Sequence, residues 1–397
     1  MTHSVVRSTV RLFRIVYIPF CMQSAMPRTQ EHPTVDNRET PAPPGPRRRR
    51  RLAAKYRRRR TFVAVAAVLI IAAPVTIAVA VHNLGANISS SPLRAHGGDV
   101  PEKLTDETNV LIIGSDTRDL DSAKETTDDT DSGSDVDSGT SSVKGFGSAE
   151  GARSDAMILA HVAADGDRID AVQIPRDTIM DIPACDDTGH GASAATHGMI
   201  NSALNGGPAC SVSAAEVLTG VRVDHFINVD FDGFAAIVDA LDGITVDLDE
   251  PLTDPKANLD LPAGEQTIGG DDALALARTR HAVGDGSDIS RMGNQQMVME
   301  AIIDRAKSGQ VLTRPDRLYG FLDAVTSTIG VDDELDSMRA LASLATTVAS
   351  VPEDDITFEI MPWAPAPENP NRVVKSAEAD DVFTAIIDDS PIADVLG

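Results

Sequence analysis

The segment that decides the fold reads GVRVDHFINVDFDGFAAIVDALDGITVDL and spans residues 220–248. Its first part, VDHFINV (223–229), predicts a strand. FDGFAAIVDALDG (231–243) carries apolar residues at helical spacing and ends at a glycine, which predicts an amphipathic helix. ITVDL (244–248) then predicts another strand. A strand, a helix and a strand in direct succession indicate an α/β fold.

The same alternation continues on both sides of this segment. Strands are predicted at NVLIIGSD (109–116), AMILAHVA (156–163), RIDAVQI (168–174) and ITFEIMP (356–362), and helices at 213–220, 269–280 and 288–308. We therefore expect an αβα sandwich with a mixed central β-sheet, preceded by one transmembrane helix.

The transmembrane helix is predicted from an uncharged apolar run, TFVAVAAVLIIAAPVTIAVAV (61–81). This length suits a bilayer core, which takes roughly 20 apolar residues. Residues 1–60 carry fifteen Lys or Arg against three Asp or Glu, a net charge of +12. The remaining 337 residues carry −37, since the whole chain carries −25. The positive-inside bias places the N-terminus in the cytoplasm and the acidic part outside. A cleaved signal peptide is the alternative, but the run is long for one.

Four parts follow from this reading. Residues 1–60 form a basic, largely disordered cytoplasmic tail, in which Met26 is an alternative start of translation. Residues 61–83 form the transmembrane helix and residues 84–104 a Gly/Ser/Pro-containing stalk. Residues 105–392 form the extracytoplasmic domain, and an acidic segment at 119–148 is expected to be a disordered insertion in it.

Composition excludes some function classes. Aromatic residues make up 4% of the chain and the outer part is acidic, so we expect no nucleic-acid partner. No P-loop is present, and Ser115 and Ser154 lack an evident histidine base, although His281 is a possible proton carrier. Cys185 and Cys210 are the only cysteines of the outer part and are expected to form a disulfide.

Charged residues gather at the ends of predicted elements. They are Asp116, Arg153, Asp155, Arg176, Asp177, Arg278, Arg280 and Arg291, with Gln295 four residues after the last. In an open α/β sheet, ligands bind beyond the carboxyl ends of the strands. Arginine forks bind polyanions, and carboxylates position divalent cations. The set therefore indicates a pyrophosphate site with Mg²⁺.

An ordered series of motifs makes this reading more specific. NVLIIGSDTR, RSD, IPRDT, the segment quoted first, LPAGEQTIGGDDALALARTRH and SDISRMGNQQ occur in this order between residues 107 and 308. Together they resemble the LytR-CpsA-Psr family of cell-wall glycopolymer transferases. The resemblance implies a phosphotransferase whose catalytic domain is the extracytoplasmic part. Such an enzyme transfers phosphoglycan from a polyprenyl-pyrophosphate-linked glycopolymer to a muramic acid hydroxyl of peptidoglycan and uses Mg²⁺.

The resemblance also assigns roles. Asp116 and Asp155 correspond to metal-binding aspartates. The pyrophosphate-binding residues correspond to Arg153, Arg176, Arg278, Arg280, Arg291 and Gln295. Arg176, Asp177 and Arg291 are the expected catalytic residues, and Asp177 either orients Arg176 or acts as the base. The polyprenyl chain needs an apolar channel, for which the helices FDGFAAIVDAL and QQMVMEAII are candidates.

Two departures and two alternatives accompany this reading. The acidic insertion lengthens a loop beside the site, and Ala156 stands where the family more often has threonine. The alternative functions are a lipid-linked pyrophosphatase or phosphatase, which would admit water as acceptor, and a membrane-anchored regulator of envelope assembly without catalysis. The Ala-, Arg- and Asp-rich composition suggests an actinobacterial source.

Overall fold

The computed structural model describes residues 46–95, 100–115, 153–279, 288–308, 311 and 313–396, with the side chains of 46–59, 69 and 288–291 left aside. The predicted tail up to residue 45 and the acidic insertion at 119–148 lie outside the described residues. The chain divides into two compact units, residues 1–69 and 70–397.

The N-terminal helix α1 spans Pro46–Asn87 and contains Pro74. It begins before the predicted start at residue 61, so residues 46–60 are helical although the sequence predicts disorder there. Within the part of the chain that the structure describes, only its stretch Arg60–Asn87 has the length and apolar composition to cross a membrane. Large apolar side chains such as Phe62 and Ile70 are about three-quarters exposed (75% and 73%). A helix with no buried face in water is not stable alone, so this exposure fits a single-pass membrane anchor.

The described residues form fifteen strands. They are β1 Ser89–Ser91, β2 Thr108–Ser115, β3 Ser154–Val162, β4 Ile169–Gln173, β5 Ile179–Ile182, β6 Thr196–Met199, β7 His225–Asp230, β8 Ile244–Leu248, β9 Leu252–Asp254, β10 Leu259–Leu261, β11 Gly264–Ile268, β12 Ile329–Asp332, β13 Ile356–Ile360, β14 Trp363–Ala366 and β15 Asn369–Lys375.

Eight further α-helices follow α1 in the described residues. They are α2 Pro208–Thr219, α3 Phe231–Ala240, α4 Gly270–Arg278, α5 Asp288–Lys307, α6 Pro315–Thr328, α7 Met338–Ser350, α8 Ala377–Ile387 and α9 Ala393–Leu396. Short 3₁₀ helices occur at Ile200–Gly206 and Glu353–Asp355.

Seven strands form the central sheet in the order β1-β12-β7-β2-β3-β4-β13. β2 runs parallel to β7 and antiparallel to β3, and β4 runs antiparallel to β3 and parallel to β13. β12 is antiparallel to β7 and parallel to β1. The sheet is therefore mixed, as the sequence predicts.

Helices cover both faces of this sheet. Alternate residues of β2 point to opposite sides: Leu111 and Ile113 pack in a core that includes α2 and α8. On the other side, α3, α4 and α5 form a core with β8–β11, and α6 and α7 pack against β12 and β7. α4 lies very close to α3 at Gly270, where a Cβ atom would overlap the backbone of Ala235. The αβα sandwich is confirmed.

Three elements differ from the sequence prediction. Residues 84–95, predicted as part of a stalk, lie in the folded domain because β1 pairs with β12 and because Leu84 and Ala95 are buried. The predicted strand ITVDL forms β8, but β8 pairs with β11 in a separate two-stranded sheet instead of joining the central sheet. The helix predicted at 213–220 begins earlier, at Pro208, a residue well suited to the first helical turn.

Candidate active site

One edge of the central sheet collects the ends of the strands on which the predicted site residues depend. Ser115 at the end of β2 lies opposite Ser154 at the start of β3 and opposite Asp230 at the end of β7. β4 runs antiparallel to β3, so its last residue, Gln173, points toward the same edge, and Arg176 follows shortly after. We call this the site edge.

Arg176 lies at the centre of the polar contacts on the site edge. Its Nη1 donates a hydrogen bond to Asp155 Oδ1, and its Nε lies 3.9 Å from Asp177 Oδ1. These three side chains are between 14% and 18% exposed, so their interactions are only partly screened by water. The structure thus brings together three residues that the sequence placed in one site.

Asp177 has a second cationic partner that the sequence analysis missed. Arg372, in β15, places its Nη1 2.8 Å from Asp177 Oδ2. The hairpin backbone also contacts this loop, since Val373 N donates to Asp177 O at 3.4 Å. Both carboxylate oxygens of Asp177 therefore face guanidinium groups.

An apolar pocket of about 710 Å³, counting its open mouth, begins at the site edge. Its sheet wall includes Ile112, Gly114, Ala156, Ile158 and Val229. Its helix wall includes Phe231 and Phe234 of α3, Leu274 of α4, and Val298 and Met299 of α5. Both helices that the sequence nominated for an apolar channel therefore line one pocket.

Polar groups line the end of this pocket at the site edge. They are Asp155, Asp230, Arg278 and Gln295. The guanidinium of Arg278 lies 4.4 Å from the centre of the Phe231 ring, a cation–π contact that fixes its direction. The amide of Gln295 donates to Ala277 O at 3.2 Å and accepts a bond from Gln173 Nε2 at 2.5 Å. The pocket thus joins an apolar interior to a polar end.

Other predicted residues are placed less fully. Arg153 is exposed directly before β3, two residues from Asp155. Asp116, Arg280 and His281 lie outside the described residues, and so does the side chain of Arg291, which belongs to α5.

The donor chemistry at the site edge fits Mg²⁺ in part. Asp155 and Asp230 supply carboxylate oxygens to the pocket lining, and Asp116 directly follows Ser115 in sequence. Within the described ranges, no group of three or more His, Cys, Asp or Glu side chains is arranged to hold a metal ion. Such carboxylates suit Mg²⁺ when substrate phosphates and water complete its coordination.

Sequence reasoning missed two residues and one contact at this edge besides Arg372. Asp230 caps α3, since its Oδ1 accepts a bond from Gly233 N at 2.7 Å, and it also lines the pocket. Gln173 is buried, and a polar residue at the end of the apolar strand RIDAVQI was a signal. Phe231 belongs to a helix that the sequence nominated for the channel, but its contact with Arg278 was not predicted.

A disulfide lies in the segment that follows the Arg176 loop. Cys185 and Cys210, the pair that the sequence predicts, are bonded with Cα atoms 5.7 Å apart. Between these cysteines, Asn201 N donates to Arg176 O at 3.3 Å and Ile200 N donates to Thr178 O at 2.9 Å. The cross-linked segment therefore supports the backbone of the site loop.

Comparison with known proteins identifies the family. The model of the LytR-CpsA-Psr family matches residues 77–385. The cell wall biosynthesis protein LcpA of Corynebacterium glutamicum is 29% identical over 275 residues, covering 64% of this chain and 50% of LcpA. The polyisoprenyl-teichoic acid–peptidoglycan teichoic acid transferase TagT of Bacillus subtilis is 30% identical over 212 residues, covering 52% and 61%. The match thus spans between half and two-thirds of these relatives.

Solved structures agree on the fold. A LytR-Csp2A-Psr enzyme from Actinomyces oris is 22% identical, with a TM-score of 0.52, and the match covers 74% of this chain and 96% of that one. A protein from Streptococcus agalactiae is 19% identical, with a TM-score of 0.54 and coverage of 71% and 87%. The family match extends over most of the chain, including every described residue of the site edge. The chain belongs to the LytR-CpsA-Psr family.

Proposed function

We propose that this chain is a membrane-anchored phosphotransferase that moves a phosphoglycan from a polyprenyl-pyrophosphate carrier to a muramic acid hydroxyl of peptidoglycan. The observation that carries the proposal is one pocket with two chemistries. It is apolar between the sheet and helices α3–α5, and at the site edge it carries Asp155, Arg278 and Gln295. A lipid pyrophosphate has the same division between an apolar tail and an anionic head.

The polyprenyl tail of the proposed lipid substrate explains why the pocket walls are apolar. A polyprenyl chain is long and unbranched apart from its methyl groups, and its transfer from water to an apolar pocket is favourable by about 0.8 kcal/mol per CH₂ group. The walls between β2, β3, α3 and α5 expose Ile, Val, Phe and Met side chains to the pocket. The relative TagT is named for a polyisoprenyl-linked donor, which supports this choice of tail.

The pyrophosphate head of the proposed lipid substrate explains why arginines lie at the polar end of the pocket. Arg176 and Arg278 present guanidinium groups near the polar end, and Arg153 is exposed two residues before Asp155. Guanidinium forks bind phosphate oxygens in pairs and remain charged at any physiological pH. We assign Arg280 and the Arg291 side chain to the same function by their positions in the family motifs.

The reaction is a displacement at phosphorus. The acceptor hydroxyl oxygen forms a bond to the phosphorus that carries the glycan, and the bond from that phosphorus to the bridging oxygen breaks. Polyprenyl phosphate leaves with the bridging oxygen, and the hydroxyl proton passes to a base at the site. Negative charge grows on the leaving phosphate, and we assign the stabilisation of this charge to Arg176.

Asp177 is assigned an orienting role. Its two oxygens face Arg176 and Arg372, so the carboxylate fixes the direction of the Arg176 guanidinium. This contact favours orientation over the alternative of a base.

We also propose that Asp155 and Asp116 hold Mg²⁺ when substrate is present. The ion, when bound, would neutralise charge on the pyrophosphate oxygens. Asp155 would then exchange part of its contact with Arg176, which would leave that guanidinium available for phosphate.

The cytoplasmic side of α1 is assigned to its N-terminus, because Arg47–Arg51 and Lys55–Arg60 adjoin the span there.

The test uses the full chain in lipid nanodiscs with a polyprenyl-pyrophosphate-linked disaccharide and a peptidoglycan oligomer. Mass spectrometry should detect the phosphodiester-linked product and polyprenyl phosphate. Arg176→Ala should lower kcat/KM by about 10²–10³, the usual effect of losing one group that stabilises transition-state charge. The control Arg339→Ala removes an exposed arginine of α7 and should leave the rate unchanged.

Two outcomes would contradict the proposal. Glycan phosphate and polyprenyl phosphate without a transfer product, in the presence of acceptor, would show that water is the acceptor and that the chain is a pyrophosphatase. No turnover at all, together with a wild-type phenotype of Arg176→Ala in cells, would indicate the non-catalytic regulator.

A further inference from the structure

The place where α1 joins the central sheet shows which edge of the sheet lies nearest to the anchor. α1 ends at Asn87, and β1 starts at Ser89, which lies opposite Gly330 of β12. The neighbouring residue Ile329 lies opposite Val229 of β7, and Val229 lies opposite Gly114 of β2. Val229 and Gly114 both line the pocket. The first residue after α1 therefore lies at the same level along the strands as the residues that form the pocket wall.

This junction is held by specific contacts. Leu84 is 3% exposed, and Asn87 Nδ2 donates to Asp323 Oδ1 of α6 at 3.1 Å. Ile88 packs against the cluster that contains Ile329, Val331 and Leu335. By contrast, the helix residues between 60 and 79 whose side chains are described are all exposed. The helix thus leaves the domain at the site edge without a free linker.

The distance from the junction to the pocket is short. β1 and β2 are separated by two strands, β12 and β7, so three strand spacings lie between them. At about 4.8 Å for each spacing, this amounts to roughly 14 Å. Strand β3, which leads away from the site edge, has nine residues and measures about 30 Å at 3.3 Å for each residue. The junction therefore lies much nearer to the pocket than to the opposite edge.

Charge also distinguishes the site edge from the opposite edge of the sheet. The opposite edge exposes Asp165 and Asp167 in the turn after β3, and Asp388 after α8. The neighbouring Asp389 accepts bonds from Ala164 N and Arg168 Nη2, both at 3.1 Å, so these carboxylates belong to one region in which aspartates outnumber the arginine. The site edge exposes two arginines, Arg153 and Arg278, beside one aspartate, Asp232. Bilayers with anionic lipids therefore favour the second edge over the first.

We propose that the site edge faces the bilayer, so that the pocket mouth and the start of α3 lie against the headgroups. A polyprenyl tail can then pass from the leaflet into the pocket without crossing water, while the sheet extends away from the membrane. The proposal rests on α1 as a membrane anchor and deepens the proposed function by naming the lipid surface as the partner of this edge.

The test compares two exposed aspartates at opposite edges, Asp232 at the start of α3 and Asp165 in the turn after β3. Each is replaced by cysteine in the full chain carrying Cys21→Ser and is labelled with bimane. The proteins are placed in phosphatidylcholine–phosphatidylglycerol vesicles with brominated acyl chains. Quenching at position 232 should exceed quenching at position 165 by at least about threefold, because the two edges are separated by roughly the length of β3.

The assay contains no substrate, so it is independent of the transfer reaction. Equal quenching at the two positions, or stronger quenching at position 165, would overturn the proposal even if transfer to peptidoglycan is observed. Stronger quenching at position 232 would support it even if the product proved to be glycan phosphate. Failure of the full chain to float with vesicles would also overturn it, since no anchored edge would exist.

Discussion

At the scale of single residues, Asp177 depends on a partner far along the chain. The motif IPRDT places Asp177 beside Arg176, and neighbouring residues alone leave two roles open for its carboxylate. The contact of the Arg372 guanidinium with the second carboxylate oxygen, at 2.8 Å, favours the proposed orienting role. No local pattern connects these residues, since the contact exists only when the hairpin β14–β15 folds against the site loop.

This contact gives a prediction about coupling. Asp177→Asn and Arg372→Ala should each lower kcat, because each loosens the orientation of Arg176. The double variant should lose less than the sum of the two effects, with a coupling of about 0.5–3 kcal/mol, as expected for residues in one contact network. Arg372→Lys, which keeps the charge, should recover part of the rate.

The pH–rate profile separates this role from that of a base. An orienting Asp177 leaves the acidic limb of the profile in place when it is replaced by asparagine, whereas a catalytic base would remove it. Loss of that limb in Asp177→Asn, with Arg372→Ala unchanged, would contradict the orienting role.

Residue types at strand ends predicted much of the described site. Asp155, Arg176 and Asp177 come together because antiparallel β3 starts where β2 and β4 end. Gln173 and Arg372 escaped prediction for a different reason. A buried amide and a hairpin arginine gain a functional position only through tertiary contacts.

At the scale of elements, local patterning predicted those strands and helices whose apolar residues face a core. Local patterning did not predict β1, because its sequence Ser-Ser-Ser has no apolar or β-branched residues. It is extended because β12 supplies a partner, and Ser89 Oγ adds a bond to Ile329 O at 3.3 Å. Likewise, ITVDL has a strand pattern, but the pattern does not say which strand it pairs with.

One pair of elements is joined by a titratable contact. His225 starts β7 and Asp332 ends β12; His225 Nδ1 lies 3.2 Å from both carboxylate oxygens, and Phe226 N donates to Oδ2 at 3.1 Å. Burial acts to lower the pKa of His225, but the hydrogen bond and charge of Asp332, with the charges of Asp224 and Glu334, outweigh burial. The pKa is therefore raised above its ordinary value of 6.5.

The raised pKa predicts how stability depends on pH. The contribution of the protonated pair is fully present below pH 6.5, the ordinary value in the unfolded chain, and is lost as the pH rises through the raised pKa. Urea unfolding of the detergent-solubilised chain should therefore show that the stability advantage over His225→Asn is largest in acid and shrinks in base. An advantage that is constant with pH, or that grows in base, would contradict this assignment.

At the scale of the whole molecule, charge asymmetry predicts topology. The basic segment before the span and the acidic domain after it assign opposite sides of the membrane to residues 1–60 and to the site. The disulfide between Cys185 and Cys210 agrees with an oxidising compartment for the domain. Helix packing cannot supply this orientation, because an apolar helix is equally stable in either direction.

The topology predicts which positions a reagent can reach. In chains that carry Cys21→Ser, Thr40→Cys should resist a membrane-impermeant maleimide in intact cells and react only after permeabilisation. Asp165→Cys, exposed in the domain, should react in intact cells. The opposite pattern would reverse the assigned orientation.

The short strand β1 has a mechanical consequence. A pull on the anchor passes into the domain through the contacts of Leu84 and Asn87 and then through β1. This strand runs parallel to β12 over the pairs Ser89–Gly330, Ser90–Val331 and Ser91–Asp332. A load along the strand shears these pairs together instead of opening them one at a time. Resistance to such a load depends on the rate of forced unfolding rather than on equilibrium stability. β1 thus connects the anchor to the domain as a shear joint, which suits the proposed function of an enzyme fixed to the membrane while it acts on peptidoglycan.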